Sequence, residues 1–507
     1  MSVASDLHVP ARMPPLALAW VALVLAALVV LAFLSDGVIE DDDVTHYLMA
    51  RWSWTYPMYL ADDWGRPGFT VPYALVAWLG TPAQGLFACR LLTIVIVAAS
   101  TWLTWKTATI VLENRYSWLA PVALLAMPLY LRLGYTTLTE TTAGLYTIAG
   151  TWLLASDRPR RAALVLSLVP LTRHEGILLL PAAAILLAWR GSWSSLPLLL
   201  FGEIAWNLAK PALGYPLSEL PILRFAGRGD PGHLGYGGPL HYLGAGAQAF
   251  GIVPLMLGVV GAIALLRRWW RDDRFRYRPA LAGLLLCAGG LLSLIAIQTV
   301  LFMINTHESG GYARFLLPAA PWAAVCVAAA ISTFADADHA TRRQLALVAM
   351  VVAGGASLGI WFDGWSPWPF AMSGLIVAAL IMVRPSWTPR LAAALAGLAA
   401  VQMAIAFRPH RLLDHQRTVV DVVETLRREH PDAHVVGDNP WTDFAADVAR
   451  HPYFWAPNDW RRPPSLPLIY VWDADHSMVN LPLDDLTALP HRELATDDAY
   501  VRVFDRH

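Results

Sequence analysis

Long apolar runs alternate with short polar turns through the first four hundred residues. The runs fall near 16–34, 85–105, 118–132, 138–155, 162–172, 176–189, 194–209, 247–266, 280–303, 315–332, 343–361, 370–384 and 390–406. A helix needs about 20 residues to cross the hydrocarbon layer. Most of these runs approach that length; the segment 162–172 falls well short. Around Thr172-Arg173-His174-Glu175-Gly176 the pattern predicts two short helices meeting inside the membrane plane. After residue 406 the pattern changes. Val419 to Arg428 has the 3.6-residue spacing of an amphipathic helix. Segments 433–438 and 468–473 read as short buried strands, each ending on an acid, and 500–504 as a closing strand. About 100 residues suffice for a small α/β domain. The expected fold is therefore an α-helical polytopic membrane protein of about 13 transmembrane helices. It divides into a membrane region, 1–406, and a soluble C-terminal α/β domain, 407–507. The first run is too long for a signal-peptide core, and no small-residue cleavage site follows it.

Composition agrees. The chain has 507 residues, 56% of them hydrophobic and 15% charged; a soluble protein carries nearer a quarter charged residues. Net charge is −1 with no basic domain, which argues against a nucleic-acid partner. Many of the 23 Trp stand at the ends of apolar runs, among them Trp20, Trp189, Trp269 and Trp387, where amphipathic rings favour the headgroup level. Cys89, Cys287 and Cys326 lie in or beside apolar runs and form neither a disulfide framework nor a zinc motif.

Arginine sets the expected orientation. With the N-terminus in the cytoplasm, inner loops hold Arg158, Arg160, Arg161, the run Arg267 to Arg278, Arg342, Arg343, Arg384 and Arg390. This is the positive-inside pattern. Thirteen crossings then put the C-terminal domain outside. The same assignment brings the polar clusters to the outer side: loop 35–84, the turn before Glu140, the Thr172–Gly176 turn, the Gly-rich loop 210–246 and the Asn305–Arg314 loop. Only two lysines, Lys106 and Lys210, occur in an Ala/Arg/Leu-rich chain. That bias suggests a GC-rich bacterial genome, hence a plasma membrane and a periplasmic site.

The candidate chemistry begins at Glu40-Asp41-Asp42-Asp43, just after the first run. Ionisable groups in or near a bilayer are expensive and usually functional. The residues after them, through Trp54, fit a short interfacial helix. One acid would cap that helix and complement its dipole; four in a row exceed that need. The functional reading is a general base that deprotonates an acceptor hydroxyl, with Asp41, Asp42 and Asp43 as catalytic candidates and Glu40, His46 and Tyr47 beside them. A neighbouring acid would hold a divalent metal or the acceptor; the residues alone assign no metal site and no cofactor. Asp62-Asp63 reads first as solvated loop charge. Glu140 caps its helix or faces the site. Arg173, His174 and Glu175 either neutralise one another or contact a phosphate or sugar. In the stretch His307-Glu308 to Tyr312 and Arg314, the arginine enters an apolar run and either snorkels to water or clamps a lipid-linked phosphate. Loop 210–246 reads as a lid or a linker.

In this order, one span, an acidic outer loop, a Thr-Glu turn, an Arg-His-Glu turn and His-Glu-x-x-x-Tyr-x-Arg-Phe-x-x-Pro, the chain resembles the C-type superfamily of polytopic glycosyltransferases. The stretch His307 to Pro318 is most similar to the lipid-linked mannosyltransferases of that group. The superfamily shows one or two acids where this chain has four; spacing to Tyr47 favours Asp42 or Asp43 as base. The resemblance implies an inverting transfer of a sugar, mannose among the candidates, from a polyprenyl-phosphate donor in the bilayer to a glycan, lipid or protein acceptor. It implies that Arg314, with Arg173 and His174, stabilises the departing phosphate. No P-loop or dinucleotide fingerprint is present, which suits a lipid-linked donor. The competing reading is a secondary transporter of a polar solute. Against it, no two halves of the chain match, and the acids lie in outer loops.

Overall fold

The computed structural model describes residues 12–112, 116–215, 237–271, 279–304, 311–362, 366, 368–382, 407–450, 468–474, 483, 492–494 and 501–506. It is dominated by helices, with one small sheet near the C-terminus. Among the described residues six helices are long and apolar enough to cross a membrane. They are α1 (Pro15–Leu34), α4 (Pro82–Val111), α6 (Ile252–Arg271), α7 (Pro279–Met303), α8 (Ala320–Asp336) with the 3-10 turn Ala313–Ala319 before it, and α9 (His339–Phe362). The chain is a multi-pass membrane protein. Span 390–406 of the sequence reading lies outside the described residues.

The remaining expected spans are shorter or broken, and proline explains much of the breakage. Segment 118–132 forms Leu119–Leu124 and Pro128–Leu133, because Pro128 has no N–H to continue the first helix. Segment 162–172 becomes Pro159–Leu166 and Val169–Thr172, followed by a 3-10 turn, His174–Leu179, and the helix Leu180–Trp189. The predicted break around Thr172–Gly176 is therefore real. Segment 247–266 divides at Gly251, whose φ of 83° suits glycine. Helix α8 sits at the bundle centre, with side chains buried nearly all round. Gly261 of α6 faces the Cys326 carbonyl of α8 so closely that a Cβ there would lie 1.8 Å from it.

Three further elements build the polar end. Helix α2 (Asp41–Trp52) begins at the acidic cluster, α3 (Pro67–Ala77) follows the next loop, and α5 (Glu140–Ala155) opens on Glu140. Gly68 at the start of α3 packs against Thr172 and Leu171, too near for a Cβ. That close approach brings the α3 N-terminus onto the Arg173 turn.

The C-terminal segment contains α10 (Asp414–Glu429), β1 (His434–Gly437), α11 (Pro440–Ala446), β2 (Leu468–Asp473), β3 (Arg492–Glu493) and β4 (Val501–Arg506). The strand order is β1-β2-β4-β3, with β1 and β2 parallel and the other pairings antiparallel. Its hydrophobic core is shared. Val419, Val423, Val435, Trp441, Ile469 and Val503 belong to one buried cluster with Val44, Tyr47, Leu48, Phe69 and Tyr73 of α2 and α3. The packing of this domain is thus continuous with the loop that carries the acids.

Candidate functional site

The first turn of α2 fixes the geometry. Successive helical residues are rotated by about 100°, so the four acids point to different neighbours. Asp43 is fully buried, and its carboxylate accepts from the Thr137 amide at 2.5 Å and from the Thr137 hydroxyl. The Thr137 hydroxyl also contacts the Asp43 carbonyl, 2.6 Å away. Burial raises the Asp43 pKa, with Arg90 and the Thr137 hydrogen bonds opposing. Asp41 Oδ1 accepts from Gln416 Nε2 of the C-terminal domain at 3.1 Å. Asp42 Oδ2 accepts from Arg314 at 2.6 Å, and Glu40 Oε2 lies 3.0 Å from the same nitrogen.

Asp41, Asp42 and Glu40 line a cavity of about 580 Å³ together with His46, Trp64, Arg66, Thr139, Glu140, Arg173, Glu175, Tyr312, Arg314 and Phe315. Four polar clusters far apart in sequence thus meet at one place. Arg173 bridges Glu140 at 3.0 Å and Glu175 at 2.8 Å. Glu140 also lies 3.7 Å from Arg314, which joins the two halves of the network. Phe315 covers the Arg173 guanidinium at 4.3 Å and Tyr312 flanks Arg314 at 5.1 Å. Such rings favour a cation while excluding water.

His46 is buried and stacks near Trp64, ring centres 6.0 Å apart. Burial pushes its imidazole down to about 3, against the pull of Asp42, so the ring is neutral at neutral pH. Burial raises the Glu40 pKa, and Asp42, Glu140 and Asp43 add to that while Arg314 opposes.

Three predicted residues do not reach the cavity. Asp43 faces the Thr137 turn. Tyr47 is buried and donates to the Pro82 carbonyl at 2.7 Å. His174 is turned away, with Trp206 alongside at 6.3 Å. His307 and Glu308 lie outside the described residues. Asp62 and Asp63 shape their loop: Asp62 Oδ1 accepts from the amides of Trp64 and Gly65, and Asp63 pairs with buried Lys210 at 2.5 Å. Among the described residues no group of three or more His, Cys, Asp or Glu side chains is gathered for a metal.

Arg66 is the residue that sequence reasoning missed. It precedes Pro67, caps α3 and holds φ at 61°, a conformation rare for a side-chain-bearing residue. Its carbonyl accepts from the amides of Phe69 and Thr70, both at 2.8 Å. One guanidinium nitrogen is buried with no hydrogen-bond partner among the described residues. A strained backbone holding a guanidinium with an orphaned N–H in a cavity is a mark of a binding group. Burial lowers its pKa to about 10, with Arg173 adding to the effect, so it stays charged. The Arg-Pro step opening a helix was the available signal, but no motif singles it out.

No family model matches this sequence, and no curated protein matches it by sequence. Solved structures do match. ArnT from Cupriavidus metallidurans, bound to undecaprenyl phosphate, superposes with a TM-score of 0.61 at 14% identity, over 96% of this chain and 97% of that one. The apo state of the same protein gives 0.60 at 14% identity, over 97% and 98%. The archaeal oligosaccharyltransferase AglB from Archaeoglobus fulgidus, in complex with an inhibitory peptide and a dolichol-phosphate, gives 0.47 at 13% identity, over 89% and 61%. The chain therefore shares the fold of ArnT along nearly its whole length, in keeping with the polytopic helical membrane fold expected from its hydropathy.

Proposed function

We propose that this protein is an integral-membrane glycosyltransferase that moves a sugar from a polyprenyl-phosphate carrier to an acceptor hydroxyl. The observation that carries the reading is a single cavity holding Asp42 beside three arginines, one of which, Arg66, has a buried N–H without a partner among the described residues. An anionic phosphate would satisfy that donor. The fold supports the same class of donor, since ArnT with this fold holds undecaprenyl phosphate.

The reaction is a single displacement. The acceptor oxygen forms a bond to the anomeric carbon as that carbon's bond to the phosphate oxygen breaks. Asp42 takes the acceptor proton as general base. The lipid phosphate departs with the bonding electrons, and Arg66, Arg173 and Arg314 stabilise its growing charge. Asp42 is the base because it lines the cavity and is part-exposed, whereas Asp43 is sealed by Thr137. Glu140 and Glu175 hold Arg173 in place. The acids stand at the start of α2 and α5, and Arg314 at the start of a span. That placement favours an enzyme at the membrane surface over a carrier, whose site lies midway along discontinuous helices. The positive-inside pattern puts this end outside, facing a periplasm, where the acceptor is a glycan, a lipid or a protein. Mannose is the sugar to try first, on the motif resemblance.

The test is transfer of radiolabelled sugars from synthetic polyprenyl-phosphate donors by the purified protein in liposomes, with Asp42→Asn as control. Product with wild type and none with the variant supports the reading. No product from any sugar with mixed acceptors overturns it.

A further inference from the structure

Helix α2 has two long faces, and only one meets the cavity. The other is gripped by the C-terminal domain. Near its C-terminus, Arg51 donates from Nε to Asp447 Oδ1 at 2.9 Å and from a terminal nitrogen to Oδ2 at 3.1 Å. The same guanidinium donates to the carbonyls of Ala77 at 3.1 Å and Gly80 at 3.0 Å. One arginine thereby ties α2, the end of α3 and the C-terminal domain together. Asp447 sits just past α11 at φ 50°, and its amide closes that helix onto the Asp443 carbonyl. At the N-terminal end, Gln416 of α10 is buried and holds Asp41. Gln416 is itself fixed, its Oε1 accepting from the Leu413 amide at 3.1 Å. Between these anchors lies the shared apolar core. Tyr59 adds a bond from the intervening loop to the Arg450 carbonyl at 2.7 Å.

We propose that the C-terminal domain is a positioning device for the reaction: Gln416 and the Arg51–Asp447 pair fix the rotation of α2 about its own axis. The physical need is specific. With acids on consecutive positions, a turn of about 100° would replace Asp42 by a neighbour at the cavity wall. A helix of three turns is too short to hold its own orientation without packing. Contacts with the C-terminal domain at both ends of the helix supply the restraint. Gln416 has a second effect: it occupies Asp41 and so leaves Asp42, with Glu40 beside it, to face Arg314. Gln416 and Asp447 are positioning residues, since neither lines the cavity.

This inference rests on the transferase reading, so the test carries one measurement that needs no activity. Hydrogen exchange of α2 amides is followed in the full-length protein for wild type, Gln416→Ala, Asp447→Asn and Arg51→Gln. Asn tolerates the left-handed backbone at 447, so that variant removes charge without forcing the turn. Faster exchange across α2 in all three variants is expected. Donor and acceptor kinetics accompany it. Asp447→Asn and Gln416→Ala should each lower kcat about tenfold, as small misplacements of catalytic groups do, with donor KM within about twofold of wild type. The double variant Arg51→Gln/Asp447→Asn should match Arg51→Gln alone, because the two residues act as a unit. Arg417→Gln, which breaks an exposed pair with Asp36, should leave kcat unchanged. Unaltered α2 exchange in the variants overturns the inference, as does a loss confined to KM or an equal loss in Arg417→Gln. If wild type transfers no sugar while α2 exchange rises as expected, the transferase reading fails and the clamp stands.

Discussion

The two faces of α2 carry the same residue types and do opposite work. On the cavity face, Asp42 and Glu40 share Arg314 and remain partly open to solvent. Away from it, Asp43 is closed off by Thr137, while Asp41, at the cavity edge, is held by Gln416. A carboxylate with satisfied, buried hydrogen bonds locks a structure; one left part-exposed beside a cation in a cavity is available for chemistry. What separates them is one residue of helical rotation.

The sharpest way to break this contrast is Asp42→Asn. Transfer should fall by about 10³-fold or more, within the range a general base supplies, while the melting temperature in detergent stays near wild type. A comparable loss in Asp43→Asn, with the protein folded, would erase the distinction. Next in size is Arg66→Gln. Donor KM should rise by about tenfold or more, because a hydrogen bond to a charged partner contributes about 1.5–3 kcal/mol. Donor titration with the acceptor saturating reads it; an unchanged donor KM would make Arg66 a structural residue.

Asp43→Ala probes the packed face from the other side. It leaves the Thr137 amide and hydroxyl without their acceptor, so stability should fall by about 1–3 kcal/mol. Thermal unfolding measures this, and the residual folded protein should keep most of its kcat. The smallest effect is in pH. His46 has its pKa lowered to about 3 in the fold, against an ordinary 6.5. A depressed group stabilises the fold above its unfolded pKa, and that contribution is lost as pH falls from about 6.5 toward 3. Wild type should lose melting temperature from pH 7 to pH 5 by more than His46→Gln does. Equal slopes would show that the ring titrates normally beside Trp64.

Much of the fold was legible because burial in a bilayer is a property of composition and length. Segments 16–34, 85–105, 280–303 and 343–361 match α1, α4, α7 and α9 within a few residues. The strand 468–473 matches β2, buried at every position. Broken segments such as 118–132 were less legible: apolarity says that a stretch is buried, but proline and neighbouring helices decide whether it runs on.

The sequence by itself determined that this is a membrane protein, that its charge collects in a few turns, and that a short helix begins at the acids. Local patterns encode these things, because hydropathy and helical period act over a few residues. Only the tertiary structure decided which acid meets the cavity, that Tyr47 and His174 stay out of it, and that Arg66 enters it. It also decided that the C-terminal domain shares a core with α2. Those outcomes depend on the rotation of one helix and on contacts between positions hundreds of residues apart, such as Asp42 with Arg314 and Arg51 with Asp447. No local pattern in a single chain records such a contact, since each partner's local sequence says nothing of the other.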